Sequence, residues 1–517
     1  MKKFSITQGF LAMAILLLAG HLPALAATNY GIRIGGVEVT SDNYSNISGS
    51  ASNISGTVKY DPNTCTLTLQ NATINANNTN GMHFYGEFYY GLKVKLVGTN
   101  TITNVNGIGL GIHITQSTST NSQTVAFQGT GTLDIPGCIN VYTYCPKLRF
   151  SETCTVKATY CYSEISNSSI IMENGATLHL TQGSNNGTLR GFSGVTFYDG
   201  TTVTLPEGAS YDSTNKYLEN SNGTKVTGEA KLGVVDYKIT VGGVKVTSWN
   251  KNNITGSNIT GTVTFNPSYN RLVLSSATIN AGGIKNERSG LEILLNGNNT
   301  IKGSFPLDIN ADTRIYTEAN SFPFTNTQTL TASNSPIFIG KDSKLTIENI
   351  KLSTTGSSSS GAIRGYGSGS KIDFKYATVT VNAGSNPIMQ NINACTMTSD
   401  EIISPSQVCY RSNKKWIGTT TTAATGTLQI DQPTTDYNIL VAGHMLNNLN
   451  ASNFMYENIT SGTITYDYSQ NKLSLNNVTA TTESGKGAVR IEEGSKDENF
   501  TINVEGTTRS EIGRAHV

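Results

Sequence analysis

Short runs of alternating apolar and polar residues dominate the chain from residue 30 onward. In YGIRIGGVEVT (Tyr30 to Thr40), Ile32, Ile34, Val37 and Val39 flank Gly35-Gly36. Two alternating runs around a Gly pair predict a hairpin with a tight turn, because Gly accepts positive φ at little cost. Next come GTVKY, DPNT and CTLTL. Val58 and Tyr60 face one way, Asp61-Pro62 begins a turn with φ preset by Pro, and Leu67 and Leu69 begin the return. The stretch therefore opens with about four short antiparallel strands.

The same phrases return. YKITVGGVKVT begins at Tyr237 and YNILVAG at Tyr437. NISGTVKYDPNTCTLTLQNATINA (Asn53 to Ala76) reappears as NITGTVTFNPSYNRLVLSSATINA (Asn258 to Ala281) and NITSGTITYDYSQNKLSLNNVTA (Asn458 to Ala480). GLKVKLVGTNTI from Gly91 matches GLEILLNGNNTI from Gly290 and, more loosely, NFTINVEGTT from Asn499. Even YDSTNKYL at Tyr211 and YRSNKKWI at Tyr410 correspond. A long-period repeat is the first organising fact of the chain. It divides into unit one at 28–235, unit two at 236–435 and a shortened unit three at 436–510. The Thr-rich stretch near Thr420 and DQPTTD near Pro433 point to some independence between units.

The middle of each unit consists of short strands separated by Gly and Asn, with few helical periods or caps. Strands at intervals of roughly 16 to 25 residues suit a parallel β-helix. There Ile, Val and Leu stack inward coil on coil, and Asn and Gly take the left-handed corners. A unit would hold roughly six to eight coils, rising on the order of 30 to 40 Å. The antiparallel opening would cap the first coil, since an exposed solenoid end invites edge pairing. A set of β-sandwiches is the alternative that the hairpins alone leave open.

These phrases resemble a β-helical "carbohydrate-binding domain-containing" module of exported proteins in Bacteroidetes-type gut bacteria, related in fold to pectate lyases. The resemblance covers most of residues 30 to 508. It implies an all-β fold of right-handed parallel β-helix modules, each opened by a small antiparallel β-hairpin cap, and extracellular polysaccharide binding. Such β-helices can carry calcium between acidic side chains, but no acidic cluster here maps onto such a site. No cofactor is expected.

The ends carry their own signals. Lys2 and Lys3, the apolar Phe10 to Ala19 and the Ala24-Leu-Ala26 cleavage pattern predict a signal peptide over 1–26. No later apolar run is long enough for a membrane helix. An exported or outer-surface location follows as an expectation. Asn-x-Ser/Thr at Asn46, Asn53, Asn71 and Asn253 would be glycan acceptors in a eukaryotic route, but several lie in strand patterns. EIGRAHV (511–517) back-translates to the start of a common sequencing adapter. It is read as adapter read-through behind a truncated third unit, so His516 carries no chemical weight.

Composition narrows the function. The net charge is +1 and 14% of residues are charged, with no basic stripe, so a nucleic-acid partner is not expected. Cys138 and Cys154 are 16 apart, as are Cys145 and Cys161. If 16 residues make one coil, each Cys lies above its partner at about 4.8 Å, within disulfide reach. Cys395 and Cys409 are a third candidate pair, and Cys65 is left over. Buried thiols acting as small apolar fillers are the competing explanation.

Hydrolysis of a glycan wants two carboxyl groups flanking the bond. Here Asp61, Asp134, Asp199, Asp342 and Asp373 stand singly, and Glu492-Glu493 has no evident partner. His83, His113, His179 and His444 lack metal-ligand spacing, and no Gly-x-Ser-x-Gly occurs. Between copies the glycines, turns and apolar alternation recur while the charges do not: Arg33 meets Thr240, Glu38 meets Lys245 and Asp61 meets Asn266. What recurs is scaffold. HFYGEFYY (His83 to Tyr90) offers Phe84, Tyr85, Phe88, Tyr89 and Tyr90 as flat faces for sugar rings, and Tyr142, Tyr144, Tyr160 and Tyr162 form a second row. Core packing is the competing role for these rings. Three readings follow: a non-catalytic exported binder of polysaccharide or glycan, a structural or adhesive surface protein with a protein partner, and a β-helical lyase or hydrolase.

Overall fold

The computed structural model describes residues 26–512 except 89, 106–109, 116–123, 144, 146, 184, 319–328, 334–335, 357–360, 453, 483–487, 492–499 and 508. The expected signal peptide lies outside the described residues save Ala26. So do Tyr89, Tyr144 and Glu492-Glu493. The fold is an all-β parallel β-helix. Two compact units meet in sequence at Val235 and Asp236.

The first unit begins as the alternation demands. Asn29–Ile34 pairs antiparallel with Val37–Thr40, with Ile34 opposite Val37. Gly35 and Gly36 take φ of 53° and 86° in the turn. Ile54–Asp61 then pairs antiparallel with the long strand Thr66–Asn75. This long strand bends at Asn71, where φ is 48°. Its first half runs parallel to Leu92–Val97 and its second half to Thr99–Thr103. One strand thus seeds two faces of the solenoid. The bend depends on Gly56, whose φ is 77° and where any Cβ would overlap the Asn71 carbonyl oxygen. Gly261 and Gly462 stand in the same relation to Ser276 and to Asn476 and Asn477.

Five coils follow, each with three strands. The first face stacks Met82–Phe84, Leu110–Thr115, Cys138–Thr143, Cys161–Ser163 and Leu189–Arg190 in parallel. The other two faces stack alongside in one long sheet. Residues with period-two burial fill the interior: Ile32, Phe84, Ile112, Ile139, Cys161 and Leu189 are fully buried. Aromatic stacking continues inside, with Phe127 and Phe150 rings 5.5 Å apart. The far end is closed too. Tyr217–Glu219 pairs antiparallel with the last strand of the first face, and Ala230–Val234 with Thr177–Leu180 and Thr201–Leu205. The repeated YDSTNKYL phrase is therefore a terminal hairpin, Ser210–Asp212 against Tyr217–Glu219.

The second unit repeats this plan. Asp236–Val241 and Val244–Thr247 form the opening hairpin, and five three-stranded coils run from Ile284–Asn286 to Glu401–Ser404. It also holds the third repeat, where Asp436–Val441 pairs with His444–Asn447, and Lys472–Thr482 runs parallel to Thr501–Glu505 and Arg509–Ile512. Of the segment 511–517, Glu511 and Ile512 extend that last strand opposite Thr481 and Thr482. Each repeat has its own apolar cluster.

Two expectations are corrected. A unit makes five coils, not six to eight, because a coil has three strands and their corners. The step from Ile139 to its neighbour Cys161 spans residues 139 to 161, and that from Met82 to Ile112 spans 82 to 112. A coil of 16 residues does not exist here, so Cys138 and Cys154 lie on different sides of one coil. Cys138 begins a first-face strand, while Cys154 precedes the third-face strand Thr155–Ala158. Cys145 and Cys161 likewise fail to stack, since Cys161 pairs with Ile139. All seven thiols are free. Burial pushes the Cys145 and Cys154 thiols up to about 12, which keeps them neutral.

Candidate functional site

Parallel register turns single outward residues into columns. On the first face of unit one, Arg33 lies opposite His83, His83 beside His113, His113 beside Asn140, Asn140 beside Tyr162, and Tyr162 beside Arg190. Tyr217 of the closing hairpin faces Arg190 and ends the row. Each of these residues sits between two buried neighbours along its strand, or next to one at the row's end; all are part-exposed except Asn140, which is itself buried at 1% exposure. Adjacent strands are about 4.8 Å apart, so seven rungs cover roughly 30 Å.

The rungs touch. The His83 and His113 imidazoles stack at 4.9 Å with 14° between their planes. Tyr142, about half exposed, stands edge-on to His113 at 5.9 Å. The Arg190 guanidinium lies 4.6 Å from the centre of the Tyr162 ring, and the Lys225 ammonium 4.9 Å from that of Tyr217. Side bonds fix the pose. His83 Nε2 is 2.7 Å from Thr115 Oγ1, Asn80 Nδ2 is 3.2 Å from His113 Nδ1, and Asn140 donates to Glu164 at 3.3 Å. Burial, with the neighbouring His113 and Arg33, pulls His83 down to about 4, and burial also lowers His113. Both rings are neutral at ordinary pH. Glu38 ends the row, held by Arg33, Tyr85 and Asn29. Burial pushes its carboxyl up, but the bonds from Tyr85 and Arg33 outweigh that and leave it below the usual range.

The aromatic candidates part company. Phe84 and Phe88 are buried in the core and present no face to a ligand, which corrects their assignment as sugar contacts. Tyr85 is half-buried, and its hydroxyl binds Glu38 and Asn29, so it braces the end of the row. Tyr90 is 93% exposed and lies off the row. Tyr160 tilts against Tyr162 at 5.7 Å, which places it beside the row. Tyr89 and Tyr144 are outside the described residues. Reasoning from sequence passed over Arg33, Asn140 and Arg190. It set His83 and His113 aside because their separation in sequence matches no metal motif. The coil period was the missing signal.

The matching row of unit two holds different chemistry: Thr240, Lys285, Asp308, Phe338, Arg364 and Gln390. Its second face instead carries a closed charge network. Arg271 and Arg314 both pair with Glu292, at 2.9 and 3.2 Å, Arg314 also holds Glu348, and the Tyr316 hydroxyl donates to Glu292. Arg314 lies 4.1 Å from the Tyr316 ring centre. These groups satisfy one another.

The lone acids remain dispersed. Asp134 pairs with Lys157 at 3.6 Å and Asp373 with Lys344 at 2.7 Å, while Asp61 caps its own turn through Asn63 and Thr64. His179 pairs with Glu229 at 2.6 Å. Among the described residues no group of three or more His, Cys, Asp or Glu is placed to hold a metal ion. Among them, too, no helix is long and apolar enough to cross a membrane. No known protein family, curated protein or solved structure matches the chain.

Proposed function

We propose that the chain is an exported, non-catalytic modular protein that binds extracellular polysaccharide or glycan at the bacterial surface, along the first face of unit one. The observation that carries this reading is the register of Arg33, His83, His113, Asn140, Tyr162, Arg190 and Tyr217, one residue per rung. A polymer with a repeating unit meets a repeating surface on such a row. Ring faces and edges pack against the apolar sides of sugars, while imidazole and guanidinium groups hydrogen-bond hydroxyls. The rings are held by neighbours before any ligand arrives, which lowers the ordering cost of binding. Calcium has no role in this reading.

The reading takes up the resemblance of the opening phrases to exported carbohydrate-binding modules. The fold itself hosts many functions, so the row carries the weight. Native affinity electrophoresis of the full chain through gels containing neutral or acidic polysaccharides tests it. Retardation by at least one polysaccharide, with no release of reducing or unsaturated ends, supports the reading. Product release would favour a lyase or hydrolase, and no retardation with any polymer would leave adhesion to a protein surface as the better reading.

A further inference from the structure

Within the second unit, a cavity of about 1030 Å³ lies where the last coil of repeat two meets the opening strands of repeat three. Its wall includes Asp400, Glu401, Asp436 and Glu457, and among the described lining residues there is no Lys or Arg. Two of these acids come from a corner where the fold asks for neutral side chains. Asn100 and Asn299 occupy the equivalent corner of earlier coils. Each accepts from a backbone N–H, that of Ala72 at 2.9 Å and Ala277 at 2.8 Å, and donates its amide to nearby carbonyls. In unit one the counterpart of Asp400 is Thr201, whose hydroxyl donates to the carbonyls of Met172 and Tyr198.

Asp400 keeps half of this arrangement. Its Oδ1 accepts from Ala377 N–H at 2.9 Å, but Oδ2 is buried with no partner, and the residue is 5% exposed. An orphaned carboxylate oxygen in such a place is costly unless something meets it. The fold does not require it, since Asn or Thr serves elsewhere. Glu401 is differently placed: its Oε1 accepts from Tyr456 Oη at 2.6 Å, Asn447 Nδ2 at 3.0 Å and Asn450 Nδ2 at 3.1 Å. It is anchored at the wall, and burial raises its carboxyl while the three hydrogen bonds oppose that shift.

The rest of the wall is mixed: Ser399, Asn447, Asn458, Thr481 and Thr482 add neutral polar groups, and the remainder is soft and apolar. His444 and Tyr456 stack at 3.7 Å with 8° between planes. Met397, Met445 and Met455 line the cavity with Cys395 and Cys409, the third pair expected as a disulfide, whose thiols are free. A bare metal ion would need three or more ligating side chains, and that grouping is absent among the described residues. A cation with an apolar body fits better. Its charge meets the acids, its methyl or methylene groups meet thioethers and rings, and the volume is that of a small-molecule site.

We propose that this cavity binds a small organic ammonium, a primary amine or quaternary ammonium, with its charge against the Asp400 carboxylate. The site is separate from the glycan row and stands without it. Binding requires Asp400 ionised, so affinity rises with pH. The other titratable groups of the wall are Glu401, Asp436, His444 and Glu457, with the phenols of Tyr410 and Tyr456 and the thiols of Cys395 and Cys409, while Asp431 lies opposite Glu401 on the adjoining strand. Arg411, behind the wall, is engaged by the Glu457 carbonyl and Met455.

Calorimetric titration of the full chain at pH 8.5 with tetramethylammonium chloride and butylammonium chloride, against sodium chloride at matched ionic strength, tests this. The expected result is saturable one-site binding of at least one ammonium. It should weaken tenfold or more in Asp400→Asn, and stay unchanged in Asp212→Asn on the terminal hairpin of unit one. Asn already fills the matching corner twice, so the first variant keeps the fold, and Asp400→Thr copies the residue of unit one as a second test. No saturable binding beyond sodium chloride would overturn the proposal, and so would equal affinity in both Asp400 variants.

Discussion

The side-chain amide of Asn53 donates to the carbonyl of Gly35 at 2.8 Å and to that of Asn75 at 2.7 Å. It pins the opening hairpin to the end of the long strand. Asn458 does the same to Ala442 at 2.8 Å and Thr481 at 2.9 Å, and Asn258 reaches Gly242 at 3.4 Å. The recurring Asn-Ile-Ser/Thr phrase is thus a clamp of the scaffold. Asn53→Ala removes two bonds and should cost about 2 kcal/mol. Hydrogen exchange of the strand Asn29–Ile34 should accelerate accordingly, while the terminal hairpin stays unaffected.

Gly56 and Gly243 both have positive φ, but only one is crowded. At Gly243 a Cβ meets nothing within 4 Å, while at Gly56 it overlaps backbone. Gly243→Ala should cost about 1 to 2 kcal/mol from conformation alone. Gly56→Ala should cost clearly more, because the bend that seeds two faces must move. Chemical denaturation of the two variants checks the ranking.

Phe84 and Tyr90 belong to one aromatic cluster in sequence and to opposite environments in space. Phe84→Ala should lose about 3 to 5 kcal/mol by leaving a cavity in the first coil. Tyr90→Ala should stay within about 0.5 kcal/mol of the parent. Thermal denaturation separates them.

Asp400 should make the second unit sensitive to base. Burial, then the nearby Asp431 and Glu401 charges, push its carboxyl up to about 8, from an ordinary value of 3.8. A raised carboxyl favours the protonated fold. The contribution is full below about pH 4 and is lost as pH rises through about 8. Without an ammonium ligand, Asp400→Asn should lose less stability than the parent between pH 5 and pH 9. Equal losses in a thermal melt at the two pH values would contradict this.

The stacked imidazoles set the opposite sign. His83 is pulled down to about 4, from an ordinary value of 6.5, so the neutral pair is the folded form. Its stability is present above about pH 6.5 and is lost as pH falls through about 4. Glycan retention should be level from pH 8 to pH 6 and fall below pH 5, where two charges would stand 4.9 Å apart. A midpoint near 6.5 would show exposed, independent histidines.

Much of the fold was legible because strand alternation and turn chemistry are local. Ile32, Ile34, Val37 and Val39 with Gly35-Gly36 specify the hairpin within eleven residues. The coil period was not legible, because it depends on how many strands close a turn. Taking Cys138 and Cys154 as stacked followed from that one misjudged length. The row failed to show for the same reason. His83 and His113 become neighbours only when residues 82 and 112 share a rung. Asp400 is a further case: its oddness emerges only beside Asn100, Asn299 and Thr201 in equivalent corners.

Hydrogen–deuterium exchange of the full chain with and without a retarding polysaccharide tests the central claim most directly. The expected result is protection concentrated in Met82–Phe84, Leu110–Thr115, Cys138–Thr143 and Cys161–Ser163, lost together with gel retardation in a His113→Ala, Tyr162→Ala double variant that remains folded. Protection confined to other faces, or retardation unchanged in that variant, would contradict a glycan site on the first face.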